Sequence, residues 1–186
     1  IEGLEAPRVL ADNAEGARLA IDHLTGLGHH RILHLTGPEG NSLTRARREG
    51  VLAGFAKAGL AEATTAQLRG DFSLRSGHAA AAQLLQMTTR PTAAFCDNDE
   101  MAIGLINGLS QAGMRVPQDI SVVGFDNIEM SAYALPPLTT IRQHRDRLGR
   151  HAATALLARI NAQQTPEDEV LPVELLLRAS TAAPAS

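Results

Sequence analysis

Short apolar runs alternate with segments of helical periodicity along most of this chain, and the runs show no polar alternation of their own. Residues 31–36, 92–96 and 120–124 each read as a strand apolar on both sides. A strand with two apolar faces must be covered on both. When such strands are separated by helices, the solution is a parallel sheet with helices above and below it. The sequence therefore predicts an α/β protein with a doubly wound parallel sheet.

The local signals agree. Asp12 and Asn13 cap a helix whose inner face is Ala17, Ala20, Ile21 and Leu24, closed by Gly26 and Gly28. Ser42 is the expected cap of a second helix, with Val51, Phe55 and Ala58 inward and Gly59 at its end. Residues 66–69 form a weak strand, and Ser73 caps a third helix with Leu74, Gly77, Ala81, Leu84 and Leu85 inward. Asp97-Asn98-Asp99-Glu100 opens a fourth, with Met101, Leu105, Ile106 and Leu109 inward and acidic groups matched to the helix dipole. After Pro136-Pro137 come a strand at 138–141, a long amphipathic helix, a polar connector at 163–168 and a final strand at 170–177. That helix carries a stripe of Leu148, Ala152, Ala155, Leu156 and Ile160, which an already complete α/β unit does not cover. The expected organisation is an end segment and crossover at 1–12, a ligand-binding lobe at 13–142, elements belonging largely to another lobe at 143–177, and a tail at 178–186.

Composition narrows the function. The net charge of −3 gives no bulk attraction for nucleic acid, and no apolar run approaches the ~20 residues of a membrane span. A single cysteine, Cys96, excludes an internal disulfide and fits a reducing, cytoplasmic setting. Aromatics are only 3% of residues, so the core is aliphatic. The chain opens at Ile1 without a secretory signal and reads as a piece of something longer.

Open parallel sheets bind ligands beyond the carboxyl ends of their strands. Those ends carry residues 37–41, Asp71-Phe72, Asp97-Asn98 and Asp126-Asn127, with Arg45, Arg47 and Arg48 on the helix that follows the first. A carboxylate and an amide fork to adjacent hydroxyls, a guanidinium donates in a fixed plane, and a ring stacks on an apolar sugar face. On position alone, a purely structural reading competes evenly: Asn98 and Asp99 as helix caps, Asp126 as a turn former. Other chemistries fit less well. Among His29, His30 and His34, the first two point to opposite sides of an extended run and no Cys or carboxylate stands at ligand spacing, so all three are expected to be surface or strand-edge histidines, with no metal. Gly37-Pro38-Glu39-Gly40 lacks the Gly-Lys-Ser/Thr ending of a phosphate loop, and the 45–48 arginines read as a solvated helix face plus one arginine turned to the ligand. No nucleophile elbow or Cys–His pair is present, which argues against an enzyme; Cys96 reads as a small core residue.

An ordered set of blocks resembles the lactose-repressor (LacI/GalR) family. These are Asp12-Asn13 with Gly16-Ala17, His23-Leu24 with Leu27-Gly28-His29, Arg47-x-x-Gly50, Gly70-Asp71-Phe72, and Arg90-Pro91-Thr92-Ala93. Then follow Asn98-Asp99-x-Met101-Ala102, the run from Val116 to Asp126, Pro136-Pro137-Leu138-Thr139-Thr140-Ile141 and Leu148-Gly149. The resemblance covers residues 9–181 and implies a periplasmic-binding-protein-like fold. It further implies an effector-sensing domain of a DNA-binding repressor, with a sugar-like effector bound between lobes, a homodimer, no cofactor, and operator contact only through an N-terminal headpiece absent from this chain. By position it assigns effector contact to Arg47, Phe72, Asn98 and Asp126, with Gln143 a weaker contributor. His144 and Leu43 depart from the family pattern, so the identity of the ligand stays open. The alternative is a periplasmic sugar-binding protein of a transport system, which shares the fold.

Overall fold

The structure, a computed structural model, describes residues 8–60, 66–161 and 167–185. The chain divides into two compact units. One runs from Asn13 to Arg142 and from Glu174 onward; the other takes the residues up to Asp12 and those from Gln143 to Val173.

The larger unit is built on a six-stranded sheet. Its order is β3 (Ala66–Arg69), β2 (Ile32–Thr36), β4 (Ala93–Cys96), β5 (Ser121–Asp126), β6 (Thr139–Gln143) and β8 (Val173–Leu176). The pairs from β3 to β6 are all parallel. Every residue of β2 and β4 is buried, as their unbroken apolar runs require. Alternate side chains sort to opposite faces. Leu33, Leu35, Ala94, Cys96 and Val122 share one core with the helices α3 (Leu74–Leu85) and α4 (Asp99–Gln111). On the other face, α1 (Asn13–Gly26) packs beside α2 (Ser42–Lys57) and brings Gly16 against the Phe125 ring. Each buried Leu, Ile, Val or Phe contributes about 1.5–3 kcal/mol, so two such faces are the main source of stability.

Small residues set the helix spacing. A Cβ on Gly77 would lie 2.1 Å from the Met101 carbonyl oxygen, and one on Gly104 would lie 2.1 Å from that of Leu74, so α3 and α4 meet backbone to backbone.

Several expectations shift in detail. Asn41, not Ser42, caps α2: its Oδ1 accepts from Leu43 N at 2.8 Å, and Ser42 is the first helical residue. Ser73 caps α3 as expected, accepting from Ser76 N at 3.1 Å. Ala58 is an exposed helix end and Leu74 is 40% exposed, so neither belongs to the core. A short helix, α5 (Glu129–Tyr133), has no periodic signal in the sequence because only Ser131 of it is buried. The single final strand expected at 170–177 is two strands, broken at Pro172, which has no N–H to give a ladder. The first half, β7 (Glu169–Leu171), pairs elsewhere, and the second half is β8. Residues 178–185 are not a loose tail. Ser180 Oγ donates to Val122 O at 2.6 Å and accepts from Thr139 N at 2.8 Å, and Val122 N donates to Ser180 O at 2.8 Å.

Two histidines expected at the surface are buried. His29 donates from Nε2 to the Ala182 carbonyl at 2.8 Å and receives Thr92 Oγ1 on Nδ1 at 2.9 Å; burial pushes its pKa down. His34 is buried within β2. A strand with two covered faces buries whatever it carries, and these rings are accommodated because their nitrogens find partners.

The smaller unit contains β1 (Val9–Ala11), paired in parallel with β7, and α6 (Arg145–Ile160). Arg8 and Asp168 bond side chain to side chain at 2.8 Å beside this ladder, and His151 Nδ1 lies 2.8 Å from Glu169 Oε2. None of the residues of α6 is buried, and Leu156, Leu157 and Ile160 are 58%, 58% and 67% exposed. Most of the 163–168 connector lies outside the described residues. Among the described residues no helix is long and apolar enough to cross a membrane.

Candidate ligand-binding site

In the larger sheet β2 stands between β3 and β4, so the winding direction reverses between β2 and β4. Loops leaving neighbouring strands there diverge to opposite faces and open a crevice, the position where such sheets take ligands. Gly37 follows β2 and Asp97 follows β4. The Asp97 carboxylate ties them: Oδ2 accepts from Gly37 N at 2.7 Å, while Oδ1 sits 2.8 Å from His34 Nε2. The His34 ring stacks on Phe95 at 5.4 Å.

Arg47 enters from α2 and is only 2% exposed. Its Nε donates to Asn13 Oδ1 at 2.9 Å, Nη1 donates to the Asp97 carbonyl, and Nη2 donates to Asp126 Oδ1 at 3.4 Å. The guanidinium carbon lies 3.8 Å from the Phe125 ring centroid. Burial pushes the Arg47 pKa down, while the carboxylates of Asp126, Asp97 and Asp99 pull it up. A guanidinium suits this place because its planar fork serves three acceptors and still stacks on a ring.

Asn98 caps α4, its Oδ1 accepting from Met101 N at 2.9 Å, and its amide donates to the Phe72 carbonyl at 2.8 Å. Phe72 has φ 68°, and its ring covers Gly37 so closely that a Cβ there would come within 2.2 Å. Asp126, at the end of β5, has φ 106°, followed by Asn127 at 50°. Arg178 braces this turn, donating to Asn127 Oδ1 at 2.7 Å and to the Leu138 carbonyl at 2.7 Å. Beneath it the buried Asp99 accepts from Thr140 Oγ1 at 2.5 Å and from Ile128 N at 2.8 Å. Burial raises its pKa to about 7 against these two hydrogen bonds.

Four of the five residues expected at the site thus lie at one crevice of the larger unit: Arg47 on Asp126, and Asn98 on Phe72. Gln143 falls in the smaller unit. The two competing readings of these residues meet in the same side chains. Asn98 does cap a helix, and Asp126 does form a turn. Asp99 is no cap; it ties α4 to β6 and to the start of α5. Arg47 is held within the crevice wall, not presented on a solvated helix face. Asn13 and Phe125 complete its socket; Asn13 reads in the sequence only as a helix cap, Phe125 falls just beyond the strand expected at 120–124, and Arg178 sits in a segment without periodicity. Among the described residues no three His, Cys, Asp or Glu side chains gather to hold a metal. Cys96 is fully buried and its thiol pKa is pushed well up, so it is a core residue as expected.

Carboxylate, guanidinium, amide and ring gather at the switch point of a parallel sheet, the place where α/β domains of this class open a crevice to small molecules. The description of a periplasmic binding protein-like domain matches residues 21–181, and the chain belongs to that family, in its lactose-repressor branch. It is 38% identical over 181 residues to the HTH-type transcriptional repressor CytR of Escherichia coli strain K12, covering 97% of this chain and 53% of that protein. It is 39% identical over 167 residues to the ribose operon repressor of the same strain, covering 90% and 51%. A crystal structure of a LacI family transcriptional regulator from Enterococcus faecium with bound ribose superimposes with a TM-score of 0.90 at 36% identity, covering 95% of this chain and 65% of that one. The chain spans about half the length of the curated relatives it matches.

Proposed function

We propose that this chain is the effector-sensing domain of a cytoplasmic transcription repressor and that its effector is a small polyhydroxylated molecule, a sugar or sugar-like compound. The observation that carries the reading is where the backbone is strained. Among the described residues, Phe72, Asp126 and Asn127 are the three non-glycine residues with positive φ, and all three stand at the carboxyl edge of the sheet beside the switch point. For a side chain as bulky as phenylalanine or a strand-terminal aspartate this costs roughly 1–3 kcal/mol, and such strain collects where a site needs it.

The chemistry suits a polyol. Asp126 accepts from adjacent hydroxyls, and Arg47 fixes that carboxylate and offers its own N–H edge. Asn98 supplies an amide, and Phe72 a ring for the apolar sugar face. Ribose bound in a relative of the same fold supports this class of ligand. Names of repressors among the relatives favour regulation over the transport-protein alternative. Operator contact belongs to an N-terminal headpiece, the active form is a homodimer, and binding proceeds without catalysis. Effector shifts operator affinity only through its different affinities for the repressor's two states.

A thermal-shift scan against sugars and nucleosides, with Asp126→Ala alongside, tests the reading. A ligand at a hundred times its Kd adds about 2.7 kcal/mol, a shift of several degrees. The shift should appear in the parent and vanish in the variant. A shift that survives Asp126→Ala unchanged would place the ligand elsewhere.

A further inference from the structure

The crevice leaves one buried carboxylate without a role. Asp99 is shielded from solvent in the first turn of α4, and its two oxygens serve two different elements. Oδ2 accepts from Ile128 N at 2.8 Å, at the start of α5, and Oδ1 accepts from Thr140 Oγ1 at 2.5 Å, on β6. The group also packs against β5, where a Cβ on Gly124 would stand 2.3 Å from Oδ1. Thr140 is itself fully buried, and its Oγ1 accepts from Asn127 N at 3.3 Å. One chain of hydrogen bonds therefore runs from Asn127 N through Thr140 Oγ1 to Asp99, and a direct bond comes from Ile128 N. These are the two amides that follow Asp126, and Asp126 and Asn127 are held at φ 106° and 50°.

Among the described residues no cation bonds to Asp99. Arg47 is committed to Asn13, the Asp97 carbonyl and Asp126, and Arg178 to Asn127, Ser131 and the Leu138 carbonyl. The charges of Asp126 and Arg178 reach it with opposite effect, Asp97 lies two residues before it, and the buried Cys96 thiol beside them is neutral. Burial outweighs the two hydrogen bonds and brings the Asp99 pKa to about 7. A carboxylate accepts through both oxygens, but a protonated one must donate through one of them. Oδ1 is the one that can, because it meets a hydroxyl while Oδ2 meets an N–H. Thr140 Oγ1 then accepts from Asp99, and its own hydrogen must turn away, into competition with the Asn127 N–H. The proton relieves a buried charge at the expense of the bond that holds the turn.

We propose that Asp99 is a positioning residue of the effector crevice: as a carboxylate it holds the 126–128 turn through Thr140 and Ile128 and so aims Asp126, and uptake of a proton loosens that turn and weakens effector binding. The inference rests on the reading of Asp126 as an effector contact. Effector binding and proton release at Asp99 are then linked, each favouring the other by the same factor.

The test is an NMR titration of the full chain without ligand, from about pH 6 to about pH 8, in the parent, Asp99→Asn and Thr140→Val. In the parent, the amides of Asn127 and Ile128 should titrate together with the Asp99 carboxyl carbon, with a midpoint near 7. Asparagine offers one oxygen to Ile128 N and an N–H to Thr140, which copies the protonated arrangement. Asp99→Asn should therefore fix both amides near their low-pH positions in the parent. Thr140→Val cuts only the relay to Asn127, so Ile128 should still titrate and Asn127 should not. Ribose affinity, measured by calorimetry over the same range, should strengthen several-fold with rising pH in the parent and stay flat in Asp99→Asn. His29 and His34 are common to all three proteins and drop out of the comparison. The proposal is overturned if the two amides do not follow the Asp99 carbon, if they still titrate in Asp99→Asn, or if ribose affinity has the same pH profile in parent and variant. Failure of ribose to bind at all counts against the effector reading alone, and the amide titration still decides whether Asp99 sets the turn.

Discussion

The guanidinium of Arg47 lies over the ring of Phe125 at 3.8 Å, and the same group is hydrogen-bonded at Nε to Asn13 and at Nη2 to Asp126. One side chain thereby joins α1, α2, β5 and the loop after β4. Lysine keeps the charge but not the fork, and a buried charge-assisted hydrogen bond is worth about 1.5–3 kcal/mol. We expect Arg47→Lys to lower unfolding free energy by about 2 kcal/mol in urea titrations and to abolish the effector-dependent thermal shift. An unchanged midpoint would mean that the socket carries no energy.

Asp126 allows strain and chemistry to be separated. Its carboxylate is lost equally in Asp126→Ala and Asp126→Gly, but only glycine adopts φ 106° without a Cβ penalty. The glycine variant should be the more stable of the two by about 1 kcal/mol, after allowance for its greater unfolded-chain entropy. Neither should respond to effector. Equal Tm values for the pair would show that the turn is relaxed in solution and would remove strain from the functional argument.

Much of this was legible from pattern alone because strands with two covered faces leave long apolar runs. The strand ends at Gly37, Phe72, Asn98 and Asp126 could be read directly, and the ligand edge follows from them. Legibility fails where structure depends on partners distant in sequence. Arg178 bonds to Asn127 across 51 residues, with nothing periodic around it to suggest so. Pro172 was a readable signal: a proline inside an expected strand marks the break between β7 and β8.

Ser180 is the pin that holds the 178–185 segment on the sheet. It is fully buried, donates to Val122 O and accepts from Thr139 N. Alanine leaves both main-chain groups without that partner, at about 1–3 kcal/mol each. We expect Ser180→Ala to cost about 2 kcal/mol or more and to speed hydrogen exchange at the Val122 amide, which donates to the Ser180 carbonyl. Slow exchange at Val122 in the variant would show that the segment docks without the hydroxyl.

Asp99 imposes a pH dependence whose sign follows from its surroundings. Burial raises its folded pKa from 3.8 to about 7, so between those values the folded chain holds a proton that the unfolded chain has released. Its contribution to stability is fully present below about pH 4 and is lost as pH rises through about 7, by on the order of 4 kcal/mol. His29 acts in the opposite sense. Burial lowers its folded pKa below 6.5, so its contribution is present above that value and lost as pH falls. The two overlap in the parent curve, and the difference between parent and Asp99→Asn isolates the aspartate, because His29 is common to both. Urea unfolding from pH 4.5 to 8 should show the variant gaining on the parent as pH rises. Parallel curves over that range would mean that Asp99 titrates at its ordinary value, with solvent reaching the carboxylate between Thr140 and Ile128.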